Sequence, residues 1–196
     1  DVIVVAGAGG GRRVAAFDGV TGQILASYYV GSPTNTFGVS VAAMDLDKDG
    51  IDEIVAANAT GGTPVVNVLN AITGRVRLSF LAYDLGYTGG VSLGTGDLNG
   101  DGIKEIITGS ASGASHVKAF NLLTGQTIAS FFAYAPNFVG GVQVGSVNVT
   151  GGLFDSIVTV SGPGSSGHTR VLDASLNELS SQYAFDTGFL GGAFVG

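Results

Sequence analysis

The sequence predicts an all-β chain of propeller-type blades: about four four-stranded repeats of 51–52 residues, with one blade split between the two termini. Three observations predict it: a repeat that accounts for the whole chain, a composition of strand and turn residues, and a turn signal at each expected connection. Phe37-Gly38-Val39-Ser40-Val41 returns as Gly89-Gly90-Val91-Ser92-Leu93, Gly140-Gly141-Val142-Gln143-Val144 and Gly191-Gly192-Ala193-Phe194-Val195, with the aligned glycines 52, 51 and 51 residues apart. Of 196 residues, 34 are Gly and 45% are apolar, while only 12% are charged, about half the usual share.

The second unit shows the strands in order: residues 38–44, 53–58, 65–70 and 75–83, separated by an Asp/Gly-rich loop, Gly-Gly-Thr-Pro and Ala-Ile-Thr-Gly. The last connection follows an apolar run in every unit: Ala16-Phe17-Asp18-Gly19-Val20-Thr21-Gly22, Val68-Leu69-Asn70-Ala71-Ile72-Thr73-Gly74, Ala119-Phe120-Asn121-Leu122-Leu123-Thr124-Gly125 and Val171-Leu172-Asp173-Ala174-Ser175-Leu176-Asn177. In the fourth copy Asn177 replaces Gly, as a residue that tolerates the left-handed conformation. An outer strand follows, marked by Ser27-Tyr28-Tyr29, Ser79-Phe80-Leu81, Ser130-Phe131-Phe132 and Ser181-Gln182-Tyr183. No amphipathic helix interrupts the pattern, and the rungs of a β-solenoid would be shorter. The units run approximately 1–37, 38–89, 90–140 and 141–190. Asp1 aligns with Glu53, so the first unit lacks its innermost strand, and residues 191–196 complete it or that of a neighbouring copy. Pairing 189–196 with 1–8 would cover two open edges, within one ring or head to tail between copies.

The chemistry concentrates in the first connection of two units, Asp45-Leu46-Asp47-Lys48-Asp49-Gly50-Ile51-Asp52-Glu53 and Asp97-Leu98-Asn99-Gly100-Asp101-Gly102-Ile103-Lys104-Glu105. Side-chain oxygens recur at positions 1, 3, 5 and 9, with Gly at position 6. Ca²⁺ takes six to eight oxygens, and a tight turn presents alternate residues inward while Gly permits the bend. The expected ligands are Asp45, Asp47, Asp49, the Ile51 carbonyl and Glu53, then Asp97, Asn99, Asp101, the Ile103 carbonyl and Glu105. The Ile51 and Ile103 side chains are expected to enter the core. An EF-hand is excluded, since position 12 is Ala56 or Thr108 and both flanks read as strand. Solvated Asp-Gly turns are the plain alternative, weakened because eight of the fifteen acidic residues crowd into these two segments and would repel. The fourth loop, Asn148 to Ser156, has no carboxylate at positions 1, 3, 5 or 9, so two Ca²⁺ sites are expected, taking the net charge from −7 to about −3.

These residues resemble the FG-GAP or VCBS repeat family, the calcium-loop propeller repeats of integrin α-chain heads and of many secreted bacterial proteins. Phe37-Gly38 opens a unit as the family name implies, and both acidic loops match its metal motif, with Glu53 and Glu105 where Asp is more usual. The units also resemble the long arrays of bacterial surface proteins, as in Val117-Lys118-Ala119-Phe120-Asn121-Leu122-Leu123-Thr124-Gly125. The resemblance covers nearly all the chain and implies a calcium-stabilised extracellular repeat. Integrin-type heads have seven blades; about four here imply part of a ring, a smaller ring or a unit of an assembly.

Other function classes fare worse. Eight scattered bases against fifteen acids leave no basic stripe, so no nucleic-acid partner is expected. No apolar run approaches the ~18 residues of a spanning helix, so no membrane insertion is expected. The absence of Cys removes disulfides, thiol catalysis and cysteine-ligated metals. A start at Asp1 without an initiator Met reads as a processed product, an excised fragment or part of something longer. His116 and His168 recur at matched positions, each two residues before a base, Lys118 or Arg170; inheritance from the duplicated unit explains them better than catalysis. No orienting acid and no Gly-x-Ser-x-Gly elbow accompanies them, so no catalytic residue is assigned and no enzyme is expected. Tyr83 and Tyr134, and Tyr87, Phe138 and Phe189, recur with a regularity that favours packing between blades. Asn58-Ala59-Thr60 and Asn148-Val149-Thr150 are glycosylation sequons if the host modifies secreted chains. The sequence therefore reads as an extracellular or cell-surface structural or adhesive module whose partners are other copies or adjacent repeats. The alternatives are a carbohydrate- or protein-binding adhesin and, less favoured, a polysaccharide-active enzyme.

Overall fold

The computed structural model describes residues 1–31, 36–149 and 151–195. All regular structure among them is β. The strands are β1 (Val2–Val5), β2 (Arg13–Phe17), β3 (Ile24–Tyr29), β4 (Val39–Met44), β5 (Glu53–Asn58), β6 (Val65–Leu69), β7 (Val76–Leu81), β8 (Val91–Gly96), β9 (Glu105–Ser110), β10 (His116–Asn121), β11 (Gln126–Phe132), β12 (Val142–Val147), β13 (Ser156–Ser161), β14 (His168–Leu172) and β15 (Glu178–Tyr183). They form one three-stranded and three four-stranded antiparallel meanders, β1-β2-β3, β4 to β7, β8 to β11 and β12 to β15. This is the blade architecture read from the repeat.

Position within a blade dictates composition. The second strands β5, β9 and β13 are buried along their whole length, so they read as continuous apolar and small residues, Ile54-Val55-Ala56-Ala57 for one. The outermost strands β7 and β15 are exposed almost throughout, which lets them carry Arg77, Glu178 and Ser. The chain divides into two compact units, Asp1–Val91 and Ser92–Gly196. In the first, Val14, Val30, Val39, Ile54, Ala56 and Leu69 form a core. In the second, Leu98, Ile107, Val117, Val142, Val144 and Ile157 do, with Phe131 and Tyr134 against them.

Two local devices recur in all blades. The third strand shifts register against the outer strand at Ala16/Phe17, Val68/Leu69, Ala119/Phe120 and Val171/Leu172, a bulge that adds twist just before the turn. The turn is then held by its own first residue. Asp18, Asn70 and Asn121 each accept, through Oδ1, the backbone amide and the hydroxyl of the Thr three residues on. In the fourth blade Asp173 accepts the Ser175 and Asn177 amides, and the left-handed residue is Leu176, at φ +64°, where Asn177 was expected. Asn177 donates its side-chain amide to Asp173 instead.

The glycine that marks the repeat is a steric requirement. Gly90 has φ +88°, and a Cβ there would lie 2.1 Å from the Ala59 carbonyl oxygen. Gly141, at φ +76°, would place one 2.4 Å from the backbone of Ala111. At Gly38 and Gly192 the φ is +73° and +70°, again with backbone inside contact distance. One more bond belongs to this joint: Val39 donates to the Ala6 carbonyl and Ala193 to that of Ser161, the matched position of the preceding blade. Residues 191–195 thus begin as an innermost strand begins. Among the described residues they carry no strand pairing, and β1 pairs with β2 alone.

Candidate metal centre

The two acidic loops join β4 to β5 and β8 to β9. In the first, Asp45 accepts the Asp49 amide on Oδ1 (3.2 Å) and the Gly50 amide on Oδ2 (2.9 Å), and Asp49 accepts the Ile51 amide (2.8 Å). These bonds curl the chain, with Lys48 and Gly50 at positive φ. The carboxylates of Asp45, Asp47 and Asp49 converge, each offering an oxygen within 4.8 Å of the others. Oxygens 2.3–2.6 Å from one Ca²⁺ stand at most about 5 Å apart, so the cluster has the span of a calcium ligand set.

Position 9 does something the sequence did not disclose. Glu53 is only 1% exposed and lies beneath the loop, where Oε2 accepts the Leu46 amide at 3.0 Å. Burial raises its pKa, and so do the charges of Asp47 and Asp49; the Leu46 amide and Arg77 pull it down. Arg77, from β7, reaches both Asp47 Oδ2 (2.6 Å) and Glu53 Oε1 (2.8 Å). The expected repulsion among these acids is thus answered in part by a cation of the chain itself.

The second loop repeats the backbone pattern with different neighbours. Asp97 accepts the Gly100 and Gly102 amides, Asn99 that of Asp101, and Asp101 that of Ile103, at 2.7–2.8 Å. Glu105, also 1% exposed, accepts the Leu98 amide on Oε2 (2.9 Å). Its Oε1 takes two side-chain amides, Asn99 at 2.7 Å and Asn121 at 2.9 Å. Burial raises the Glu105 pKa, against the Leu98 and Asn121 bonds. From the fourth blade Asp155 clips the loop in both directions, accepting the Asp97 amide (3.0 Å) and donating its own to the Asp97 carbonyl (2.7 Å).

Several expectations need correction or placement. The Ile51 side chain is 45% exposed and Ile103 half-buried: neither enters the core, because position 7 precedes the strand and faces sideways. Ile51 lines an apolar cleft of about 410 Å³ with Ile3, Leu25, Ile54 and Ile72. Asn58 is buried and donates its amide to the Thr63 carbonyl, so its sequon offers no free amide nitrogen. Asn148 is exposed and donates to Gly152, closing the acid-poor fourth loop, while Thr150 of that sequon lies outside the described residues. His116 and His168 each meet a serine of the outer strand, Ser130 and Ser181, at 2.9 Å through Nε2. Arg13 makes the same diagonal contact with Ser27 in the first blade; in the second the histidine's place is held by Val65, and Ser79 is met instead by Asn67 directly opposite it. Tyr83 with Tyr87 and Tyr134 with Phe138 pack edge to face across their own turn.

No family model matches the chain, and no curated protein sequence matches it. Solved structures do. A protein of unknown function from Bacteroides caccae superposes with a TM-score of 0.54 at 17% identity, over 94% of this chain and 58% of that one. The V. cholerae biofilm matrix protein Bap1 aligns with a TM-score of 0.48 at 22% identity, over 93% of this chain and 35% of that one. The chain therefore spans less than two thirds of either neighbour. The first likeness is one of fold.

Proposed function

We propose that the chain is a non-catalytic, extracellular or cell-surface structural module whose blades are pinned by Ca²⁺ at the two acidic loops. The convergence of the Asp45, Asp47 and Asp49 carboxylates within 4.8 Å, on a loop pre-curled by its own amides, carries this reading. The Ile51 carbonyl and Glu53 complete the first set, and Asp97, Asn99, Asp101, the Ile103 carbonyl and Glu105 form the second. A cation there ties the first strand of a blade to its second, which is a structural role. The lack of turnover is supported by the histidines: each meets a serine diagonally across the outer strand, a contact that Arg13 makes with Ser27 in the first blade, so it serves strand pairing as readily as chemistry. Association through strand edges is supported by β1, whose Val2 and Val4 side chains are exposed on an edge strand. The FG-GAP or VCBS resemblance and the surface localisation belong to this same reading.

Calcium should stabilise the folded state by linkage, by about 2.7 kcal/mol per site at a hundredfold excess over Kd, and so raise the melting temperature. Elemental analysis should find two Ca²⁺ per chain, and native mass with and without EDTA should report any assembly. Unchanged melting in EDTA together with no bound metal overturns the reading.

A further inference from the structure

In the second unit a cleft of about 560 Å³ opens between the end of the third blade's outer strand and the outer half of the fourth blade, within the size range of small-ligand sites. We propose that it is a binding site for a neutral saccharide unit of a glycan. The cleft includes none of the acidic-loop residues, so the proposal goes beyond the calcium reading and stands without it.

Its floor is rigid. Tyr134 is half-buried and donates its hydroxyl to the His168 carbonyl, with the Thr159 hydroxyl 3.2 Å away; partial burial pushes its pKa up to about 12, which keeps it a neutral wall. Arg170 is clamped by an Nη1 bond to the Ala133 carbonyl and an Nε bond to Glu178 at 2.5 Å. Two of the five guanidinium donors are thereby committed, and the ion pair is held at the cleft wall. His168 stacks on Tyr183 at 4.5 Å and 20°. Tyr183 is 61% exposed, and Phe132 across the opening is 59% exposed.

These features select a ligand class by elimination. A phosphate or carboxylate would need net positive charge, but Glu178 neutralises Arg170, and burial and Arg170 lower the His168 pKa against the pull of Glu178, disfavouring a second cation. A purely apolar ligand would leave the Arg170–Glu178 pair facing nothing. A sugar ring matches both halves: its C–H face lies on an exposed aromatic ring, and adjacent hydroxyls, each able to donate and accept, satisfy a donor and an acceptor fixed side by side.

Repetition gives an independent argument. The place of Arg170 is held by Ala15, Asn67 and Lys118 in the other blades, and that of Glu178 by Ile24, Val76 and Thr127. The ion pair belongs to the fourth blade alone, so inheritance of the unit does not explain it.

The test is titration of the full chain with neutral gluco-, manno- and galacto-oligosaccharides and their uronic-acid counterparts. With six Tyr and no Trp, tyrosine emission reports the site. A neutral oligosaccharide should saturate the signal. Tyr183→Ala and Glu178→Gln, both on an exposed outer strand and checked for unchanged melting, should each weaken binding about tenfold. Leu123→Ala, on an exposed turn away from the cleft, should not change it. No saturable binding up to millimolar oligosaccharide, binding of the uronates alone, or binding that survives both variants overturns the proposal, as does a cleft that captures peptides and no sugar. Should Glu178→Gln melt early, Tyr183→Ala alone decides.

Discussion

The two acidic loops share a backbone and differ in how their charge is balanced. Around Asp45–Glu53 the balancing group is a cation, Arg77, reaching in from an exposed outer strand. Around Asp97–Glu105 it is a set of neutral donors, the Asn99 and Asn121 amides, with Asp155 pinning the loop from the next blade. A repeat can thus keep its turn while exchanging the groups that surround its carboxylates. In the first loop charge is partly neutralised by a side chain on an exposed strand; in the second the buried carboxylate is held by a network of neutral donors.

The sharpest break comes at position 9. Glu105→Ala leaves two amide side chains and a backbone amide without their acceptor, and should cost about 3 kcal/mol in urea denaturation without calcium. Glu53→Ala should cost about half of that, because Arg77 can turn wholly to Asp47. Equal losses would mean that the two surroundings are equivalent. Next, Asp155→Ala should cost about 1 kcal/mol and weaken calcium binding only at the second loop, read by titration in an Asp45→Asn background. Arg77→Ala should do the reverse at the first loop: removing the internal cation should tighten calcium a few-fold, while the metal-free protein loses stability because the buried Glu53 carboxylate loses its charged partner. The smallest effect is the pH response of the metal-free protein. Burial raises both glutamates, so the native state holds their protons more tightly than the unfolded chain does. Their contribution is fully present below the ordinary carboxylate pKa and is lost as pH rises through the raised native values. In EDTA, melting should therefore fall from about pH 4.5 towards neutrality, with a shallower slope in Glu105→Gln than in the wild type. Calcium should invert the trend, since it binds the ionised carboxylates.

Much of this was legible because Gly and Asp punctuate the chain wherever it must turn. The expected strands 53–58 and 65–70 are β5 and, one residue shorter, β6, bracketed by Asp-Gly, Gly-Gly-Thr-Pro and Thr-Gly signals. The aspartates of the first loop converge as their spacing required. What escaped were partners from elsewhere. Arg77 lies 30 residues from Asp47 in a strand whose other copies have Leu25, Ile128 and Leu179 there, so no repeat signal flags it. Asn121 reads as a turn former, and it is one; its second bond, to Glu105, depends on the twist that brings two strands together. Asp155 stood in a loop set aside for lacking ligands, at a position outside the 1, 3, 5, 9 pattern, yet it serves the loop next door.

The glycine joints bear on how such a chain changes length. At Gly90 and Gly141 one blade's backbone passes so near its neighbour's that only main-chain atoms fit, and an interface of main-chain atoms is indifferent to sequence. A copied cassette of 51 or 52 residues arrives with its own glycine and meets an old neighbour as well as a new one. Unequal crossing-over within such a gene would therefore lengthen or shorten the product by whole blades and leave every surviving joint intact. An excision of some other length would bring a residue with a Cβ to the contact, where two backbones would have to part. Blade number can then change in this architecture without disturbing a joint, and the spacing of one glycine to the next is what each joint depends on.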